Sequence, residues 1–437
     1  MGHQQEEHEI TPKEAAELPD PIYREALDEV IAKHFGPTHK DCTLKIDAGS
    51  TKGDNYIGVV YRVTVDHPNQ DSLSVIVKLP PQNEARREQF HVRPCFVREA
   101  QFYDTIFPIF TKFQEEKGID VKKDGFYEVP KCFKTLTEAP LEGLYMEDVK
   151  VPGFEMFDRF KETSANHTNE VMKVLGKFHA ISFALKDQRP EFFDPYVDMP
   201  DIFFQPDEKV KERFKSWFDM LKKQATDVLD ACDDQDVVKR SKEFLEADFS
   251  DLVESCVTGK LAEPYAILGH GDCWNNNIMY RYENGVPVEI RLLDWQIMRY
   301  ATPVCDLMYY IFGCTVKSVR DKHYNEFMNV YYKSLAEFMV RLGSDPSKMF
   351  PREVFEDQLK RFGKFGLLMA IMVLPVFTSN PEDTPDMDEM AEKLMDSEAK
   401  GEEMDLSEVK FTSASTIGEY NRRMDGVFRD MCRLGYI

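Results

Sequence analysis

"HGDCWNNNIMYRYENGVPVEIRLLDW", residues 270–295, is the stretch on which the reading of the fold turns. It opens with His270, Asp272, Asn276 and Asn277 crowded together, and its three consecutive asparagines favour neither helix nor strand. "IMYRY" and "VPVEIRLLDW" then read as two strands joined at Asn284-Gly285, a pair that tolerates positive φ at both turn positions and marks a tight hairpin. A hairpin brings its open ends together. One end carries Asn277, the other carries Asp294, and Asp272 lies five residues before Asn277. Two carboxylates and an amide oxygen at one point make a hard-oxygen site suited to Mg²⁺, which takes few protein oxygens and completes its shell with phosphates. The step from Asp272 to Asn277 is also the catalytic-loop spacing of protein kinases, where the Asp orients a hydroxyl and the Asn holds metal. The second Asp, beyond the hairpin, is then the principal metal ligand, here in the context Asp294-Trp295-Gln296. Taken singly, Asp and Asn are common in turns and caps. A zinc reading of His270, Asp272 and Cys273 lacks a fourth ligand at fitting spacing. The joint pattern points to metal-assisted phosphoryl transfer.

Such a site needs positive charge on the donor phosphates. Lys78 closes the apolar strand "SLSVIVKLP", and the next helix carries Glu99 in "VREAQFY"; a strand lysine held by a helix glutamate supplies that charge. "AGSTKGDNYIGVVYRV" offers Gly49, Gly53 and Gly58 without a GxGxxG pattern, so Gly53, Asp54 and Asn55 are candidates for a phosphate cover or for an ordinary hairpin turn. "GLYMEDVK" ends the strand-rich half, where a hinge would offer the backbone of Glu147 to Val149 to an adenine ring. Leu144 and Met146 read as core. His179 sits on an apolar helical face as a satisfied core or interlobe histidine, with no partner visible in the sequence. Asp306, opening a helix in "PVCDLMYY", is expected to support the catalytic loop by accepting backbone or His270 hydrogen bonds.

The rest of the chain frames this site. Residues 1–148 read as a nucleotide-binding lobe, an antiparallel sheet with one inserted helix, preceded by a polar lead-in over 1–40 with a short helix. Residues 149–437 read as a larger, mainly helical catalytic and substrate lobe. The expected fold is α+β, bilobal and protein-kinase-like. Within residues 381–410 twelve acidic residues face three lysines, which reads as a solvated insertion with room for a loose helix, a solubilising surface rather than a binding tail. A formal charge of -23 over 437 residues argues against a general nucleic-acid binder. No apolar run approaches the ~20 residues that cross a bilayer, and Glu6 stands where a myristoylation signal wants Ser or Thr. Nine dispersed cysteines fit reduced thiols, so a cytoplasmic location without a membrane is expected.

These motifs together carry a resemblance. "HGDCWNNNIMY" followed by "LLDWQIMRYATPVCDLMYYIF", with "KGDNYIGVVYRV", "FVREAQFYDTI", "LYMEDV", "LGKFHAISFAL" and "MCRLGYI", resembles the ecdysteroid kinase-like (CHK kinase-like) proteins of insects, relatives of choline kinases and aminoglycoside phosphotransferases. The resemblance implies ATP- and Mg²⁺-dependent transfer of phosphate to a small-molecule hydroxyl, on an ecdysteroid or on foreign compounds during detoxification. By matching position, it implies Asp272 as catalytic base, Asn277 and Asp294 on the metal, and Lys78 on the donor phosphates. Trp295 stands where the family more often has Phe, and the acidic insertion leaves the substrate open. Two rivals remain: a choline-type or other small-alcohol kinase of the same fold, and a nucleotide-binding pseudokinase without catalysis. The aromatic run "FFDPYVDMPDIFFQP" (192–206) favours a steroid-like apolar acceptor, since a quaternary ammonium would need an aromatic cage with acids.

Overall fold

The computed structural model describes residues 17–49, 57–204, 208–380, 387–400 and 412–437. Its first layer starts where Asp20 caps α1 (Pro21–Phe35) by accepting from Ile22 N–H, with Pro21 at the first helical position. Tyr23, Leu27 and Ile31 form one apolar stripe of α1 and pack on the sheet with Val63, Val75, Val77 and Tyr145. The Tyr145 hydroxyl donates to the Tyr23 carbonyl at 2.7 Å. The described part of the lead-in is therefore a structural layer of the lobe, with the apolar stripe of α1 laid on the sheet.

The sheet comprises β1 (Thr43–Ala48), β2 (Val59–His67), β3 (Gln70–Leu79), β4 (Cys132–Leu136) and β5 (Gly143–Glu147). Its order is β1-β2-β3-β5-β4, antiparallel throughout. The second face is covered by more than the single inserted helix expected. A short α2 (Glu84–Gln89) precedes α3 (Val92–Gln101), which runs through a π turn at Phe102–Ile106 into α4 (Phe107–Glu116). Pro108 has no N–H to return to the carbonyl of Asp104, which is a local reason for the helix to widen there.

The second lobe is built on the helix Ala165–Gln188 lying along the helix Lys317–Arg341. Gly176 permits that approach, since a Cβ there would meet the Tyr331 carbonyl oxygen at 2.8 Å. Beside them the apolar helix Phe365–Thr378 is almost wholly buried. No single helix among the described residues is long and apolar enough to cross a membrane. All nine cysteines are free.

Between the lobes the hairpin forms as its Asn-Gly signal predicts. Strands Ile278–Glu283 and Val286–Leu292 pair with Glu283 opposite Val286, and Asn284 and Gly285 have φ of 52° and 77°. The chain enters the hairpin from strand Ile267–Gly269 and leaves it into strand Arg299–Ala301, and these two also pair antiparallel. The polar loop and Asp294 are thus held by two strand pairs, one on each side. This is the bilobal, protein-kinase-like α+β architecture.

Candidate active site

The loop after Gly269 is fixed from beneath by Asp306, in the first turn of the helix Val304–Cys314. Asp306 accepts the backbone N–H of His270 at 2.7 Å and of Gly271 at 2.8 Å. It also accepts from His179 Nε2 at 3.0 Å, while the Tyr331 hydroxyl donates to His179 Nδ1 at 2.9 Å. Burial alone would raise the Asp306 pKa, but the hydrogen bonds it accepts from His179 and from the Gly271 N–H outweigh it, and the carboxyl is held below its ordinary value. A fully buried carboxylate with two N–H donors and an imidazole is satisfied, and it clamps the loop backbone. The partner of His179 is Tyr331, too distant along the chain for sequence spacing to suggest.

Gly271 turns the chain at φ 86°, where a Cβ would lie 2.0 Å from the Ile297 carbonyl oxygen. His270 then spans to the hairpin: its Nε2–H donates to the Leu293 carbonyl at 2.9 Å and its Nδ1 accepts the Asp272 N–H at 3.2 Å. Burial lowers the His270 pKa, which keeps the ring neutral and in that tautomer. The hairpin ends meet as the Leu293 N–H donates to the Asn277 carbonyl at 2.8 Å.

Asp272 is gripped at both oxygens. Oδ1 accepts from the Tyr309 hydroxyl at 2.9 Å and Oδ2 accepts from Asn277 Nδ2 at 2.8 Å. Burial, with the Asp294 charge nearby, pushes its pKa up to about 6. Tyr309 was not found from the sequence, since it reads there as one more apolar residue of a buried helix. Asn275, to which sequence reading gave no role, is buried and donates to Thr163 Oγ1 at 2.9 Å, tying the loop to the helical lobe. Asn276 borders the cavity under the sheet described below.

Asp294 adopts the left-handed conformation at φ 68°, which Asp tolerates better than most residues. Its neighbour Trp295 is fully buried, stacked on Phe102 at 3.7 Å with 6° between the rings, and lies 4.4 Å from the His270 ring. The π turn of the first lobe thus packs directly against the loop of His270 through Trp295. Lys78, 3 % exposed, donates to Glu99 Oε2 at 2.7 Å and also contacts Asp294 Oδ1. The contact to Asp294 adds a partner that strand-and-helix reasoning did not supply. Burial works against the Lys78 charge, yet the two carboxylates win and raise its pKa.

Two cavities meet at this point. One, of about 290 Å³, lies under the sheet and is lined by Lys78, Glu99, Met146, Glu147, Asp148, Val149, Asn277 and Asp294. Gly49, from the described part of the glycine-rich segment, also borders it, whereas Gly53, Asp54 and Asn55 lie outside the described residues. Met146 faces this cavity, unlike the core residue Leu144. Glu147 Oε1 accepts from Lys131 N–H at 2.9 Å, and Asp148 is held by Arg62 Nε at 2.7 Å and Ser74 Oγ at 3.0 Å. The other cavity, of about 280 Å³, is lined by Asp272, Asn277, Asp294, Arg299 and Tyr309 at one end. The remainder is mainly apolar, including Phe203, Phe204, Phe214, Trp217, Phe218, Met369 and Met372. Asn277 and Asp294 border both. Among the described residues no group of three or more His, Cys, Asp or Glu forms a metal cage. A cation here would have two protein oxygens, from Asn277 and Asp294, and would draw its other ligands from phosphate and water; that donor set fits Mg²⁺.

The acidic segment departs from its expected solvated form. Its described part is the helix Met387–Lys400, in which Met390 and Ala391 are buried, and Met387, Met390 and Leu394 line the apolar cavity. The net charge of the segment masked a spacing of 387, 390, 391 and 394 that marks one apolar helical face.

The sequence profile described as the ecdysteroid kinase-like family matches residues 52–344. No curated protein matches the chain. Among solved structures, the chain is similar to an ethanolamine kinase of Plasmodium vivax, at 12 % identity and TM-score 0.38, over 85 % of this chain and 87 % of that one. It is similar to the GDP complex of an aminoglycoside 2'-phosphotransferase-IIIa at 9 % identity and TM-score 0.37, over 86 % and 98 % of the two chains. A macrolide 2'-phosphotransferase of Brachybacterium faecium is similar at 11 % identity and TM-score 0.33, over 92 % and 98 %.

Proposed function

Because the chain belongs to the ecdysteroid kinase-like family, and so to the small-molecule kinases that phosphorylate alcohol groups, we propose that it transfers the γ-phosphate of ATP to a hydroxyl of an apolar, steroid-like alcohol. An ecdysteroid is one such alcohol, and the transfer would serve hormone inactivation or detoxification. The observation that carries the reading is the meeting of the two cavities at Asn277 and Asp294, one beneath Lys78 and the hinge, the other apolar with Asp272 at its inner end.

ATP would lie with its base along Glu147 to Val149 and its phosphates against Lys78, whose position Glu99 holds. Mg²⁺ on Asn277 and Asp294 would supply charge neutralisation on the phosphates. Asp272 orients the acceptor hydroxyl and takes its proton as the oxygen attacks the γ-phosphorus in line, while the bond from that phosphorus to the bridging oxygen breaks and ADP leaves. Tyr309 and Asn277 hold the Asp272 carboxylate in one orientation, so little reorganisation is needed in the transition state. Carboxylates line the acceptor cavity only at its inner end, where Asp272 and Asp294 stand among the described residues, and this favours an apolar acceptor over a cationic choline-type one. The intact set of Lys78, Asp272, Asn277 and Asp294 favours catalysis over a pseudokinase role.

The test is transfer of radiolabelled γ-phosphate from ATP to a panel of steroid, choline-type and simple alcohols. Asp272→Asn should keep the fold and lower turnover by ~10²–10⁴. Undiminished turnover in that variant would remove Asp272 from the mechanism.

A further inference from the structure

The helix Met387–Lys400 has two unlike faces. Outward it exposes Glu389, Glu392, Lys393 and Asp396. Inward, Met387, Met390 and Leu394 line the apolar cavity that also contains Met369 and Met372. Its polar edge is tied to the other lobe: Asn83 Nδ2 donates to Glu392 Oε1 at 2.8 Å, and Arg86 Nη1 donates to Asp388 Oδ1 at 3.2 Å. Both partners belong to α2 and its cap, and Phe90, which follows α2, lines the same cavity. The helix therefore closes one side of the cavity while resting on the nucleotide lobe.

We propose that the helix Met387–Lys400 is the acceptor-selecting wall of this enzyme, and that it selects bulky apolar alcohols with relaxed tolerance of shape. The identification of the cavity as the acceptor site rests on the phosphotransfer reading above. Methionine is unbranched and polarisable and fills irregular gaps, so four methionines around one cavity adapt to differing ring systems. The polar residues Asp272, Asn277, Asp294 and Tyr309 belong to the catalytic end, where a hydroxyl must be placed. Bulk and apolarity are then read by the far wall, and hydrogen bonding by the catalytic end. A small alcohol touches mainly the second, a large one touches both.

The experiment exploits two of the chain's three tryptophans, Trp217 and Trp274, which line this cavity and report its filling by fluorescence. Testosterone and benzyl alcohol are titrated into the wild type, Met390→Gln, Leu394→Ala and the outward-face control Lys393→Ala, and phosphate transfer to both alcohols is followed separately. Met390→Gln keeps the side-chain length and removes its apolarity; Leu394→Ala removes volume. Each should weaken testosterone binding by about tenfold or more, the scale of one apolar contact in a pocket, with a much smaller effect on benzyl alcohol. Lys393→Ala should change neither. Thermal melting and affinity for a non-hydrolysable ATP analogue establish that each variant is folded. Unchanged testosterone binding in both wall variants, or equal weakening of both alcohols, overturns the proposal, as does a wild type that binds neither alcohol. A wild type that binds testosterone but transfers no phosphate overturns the phosphotransfer reading instead, and the binding ratios still decide the role of the wall.

Discussion

Replacing Lys78 by methionine removes the cation shared by Glu99 and Asp294 while keeping an unbranched chain in the same slot. Lys78 is 3 % exposed and Glu99 1 % exposed, so water cannot substitute for the lost partner. Breaking a buried ion pair by removing one member costs about 3–5 kcal/mol. The cost depends on pH, and the sign follows from Glu99. Burial raises its pKa to about 7 even with Lys78 opposing the shift, and without Lys78 it rises further. A carboxyl whose folded pKa exceeds its unfolded value of ~4.3 binds more protons when folded than when unfolded between the two. Stability therefore falls as pH rises through that window, by at most ~1.4 kcal/mol per pH unit for each such group. The wild type carries this slope from Glu99 up to about pH 7, and the variant extends it upward. Urea denaturation with EDTA present, from about pH 5 to about pH 8, should show a deficit of about 3–5 kcal/mol at the alkaline end that shrinks by up to ~1.4 kcal/mol on going below about pH 7, where both proteins carry the same slope. A deficit independent of pH, or one below about 1 kcal/mol throughout, would show that Lys78 contributes only its packed methylenes.

Tyr309→Phe should leave the melting curve nearly unchanged and lower turnover by about ten- to a hundredfold, the equivalent of one hydrogen bond of ~1.5–3 kcal/mol to a charged group; steady-state kinetics with any accepted alcohol reads it. Gly271→Ala should cost more than about 3 kcal/mol, because the methyl group meets the Ile297 carbonyl at 2.0 Å and φ is 86°, and soluble yield with urea denaturation checks it. Trp295→Ala should cost about 3–5 kcal/mol by removing the ring stacked on Phe102 and packed against His270, whereas Trp295→Phe should retain most of the stability in the same assay.

What the sequence by itself determined lies in short stretches. The Asn284-Gly285 turn fixes hairpin pairing within a few residues, so the approach of Asn277 to Asp294 is a local consequence of backbone geometry. Strand alternation places Lys78 at the end of β3, and helical spacing places Glu99 two elements later, beyond the short α2, close enough for their bond at 2.7 Å to follow from nearness along the chain. The features that only tertiary structure decided are those whose partners are far apart along the chain. His179 meets Tyr331 and Asp306, Asn275 meets Thr163, and Tyr309 reaches Asp272, all across helix packings that no periodicity encodes. The acidic segment shows the same limit from the other side. In its described part the charges of Glu389, Glu392, Lys393 and Asp396 lie on the outward face of the helix, while the helix turns three apolar residues, spaced at 387, 390 and 394, to the cavity. Composition averages over both faces of a helix, and only packing against α2 and the second lobe selects which face is buried.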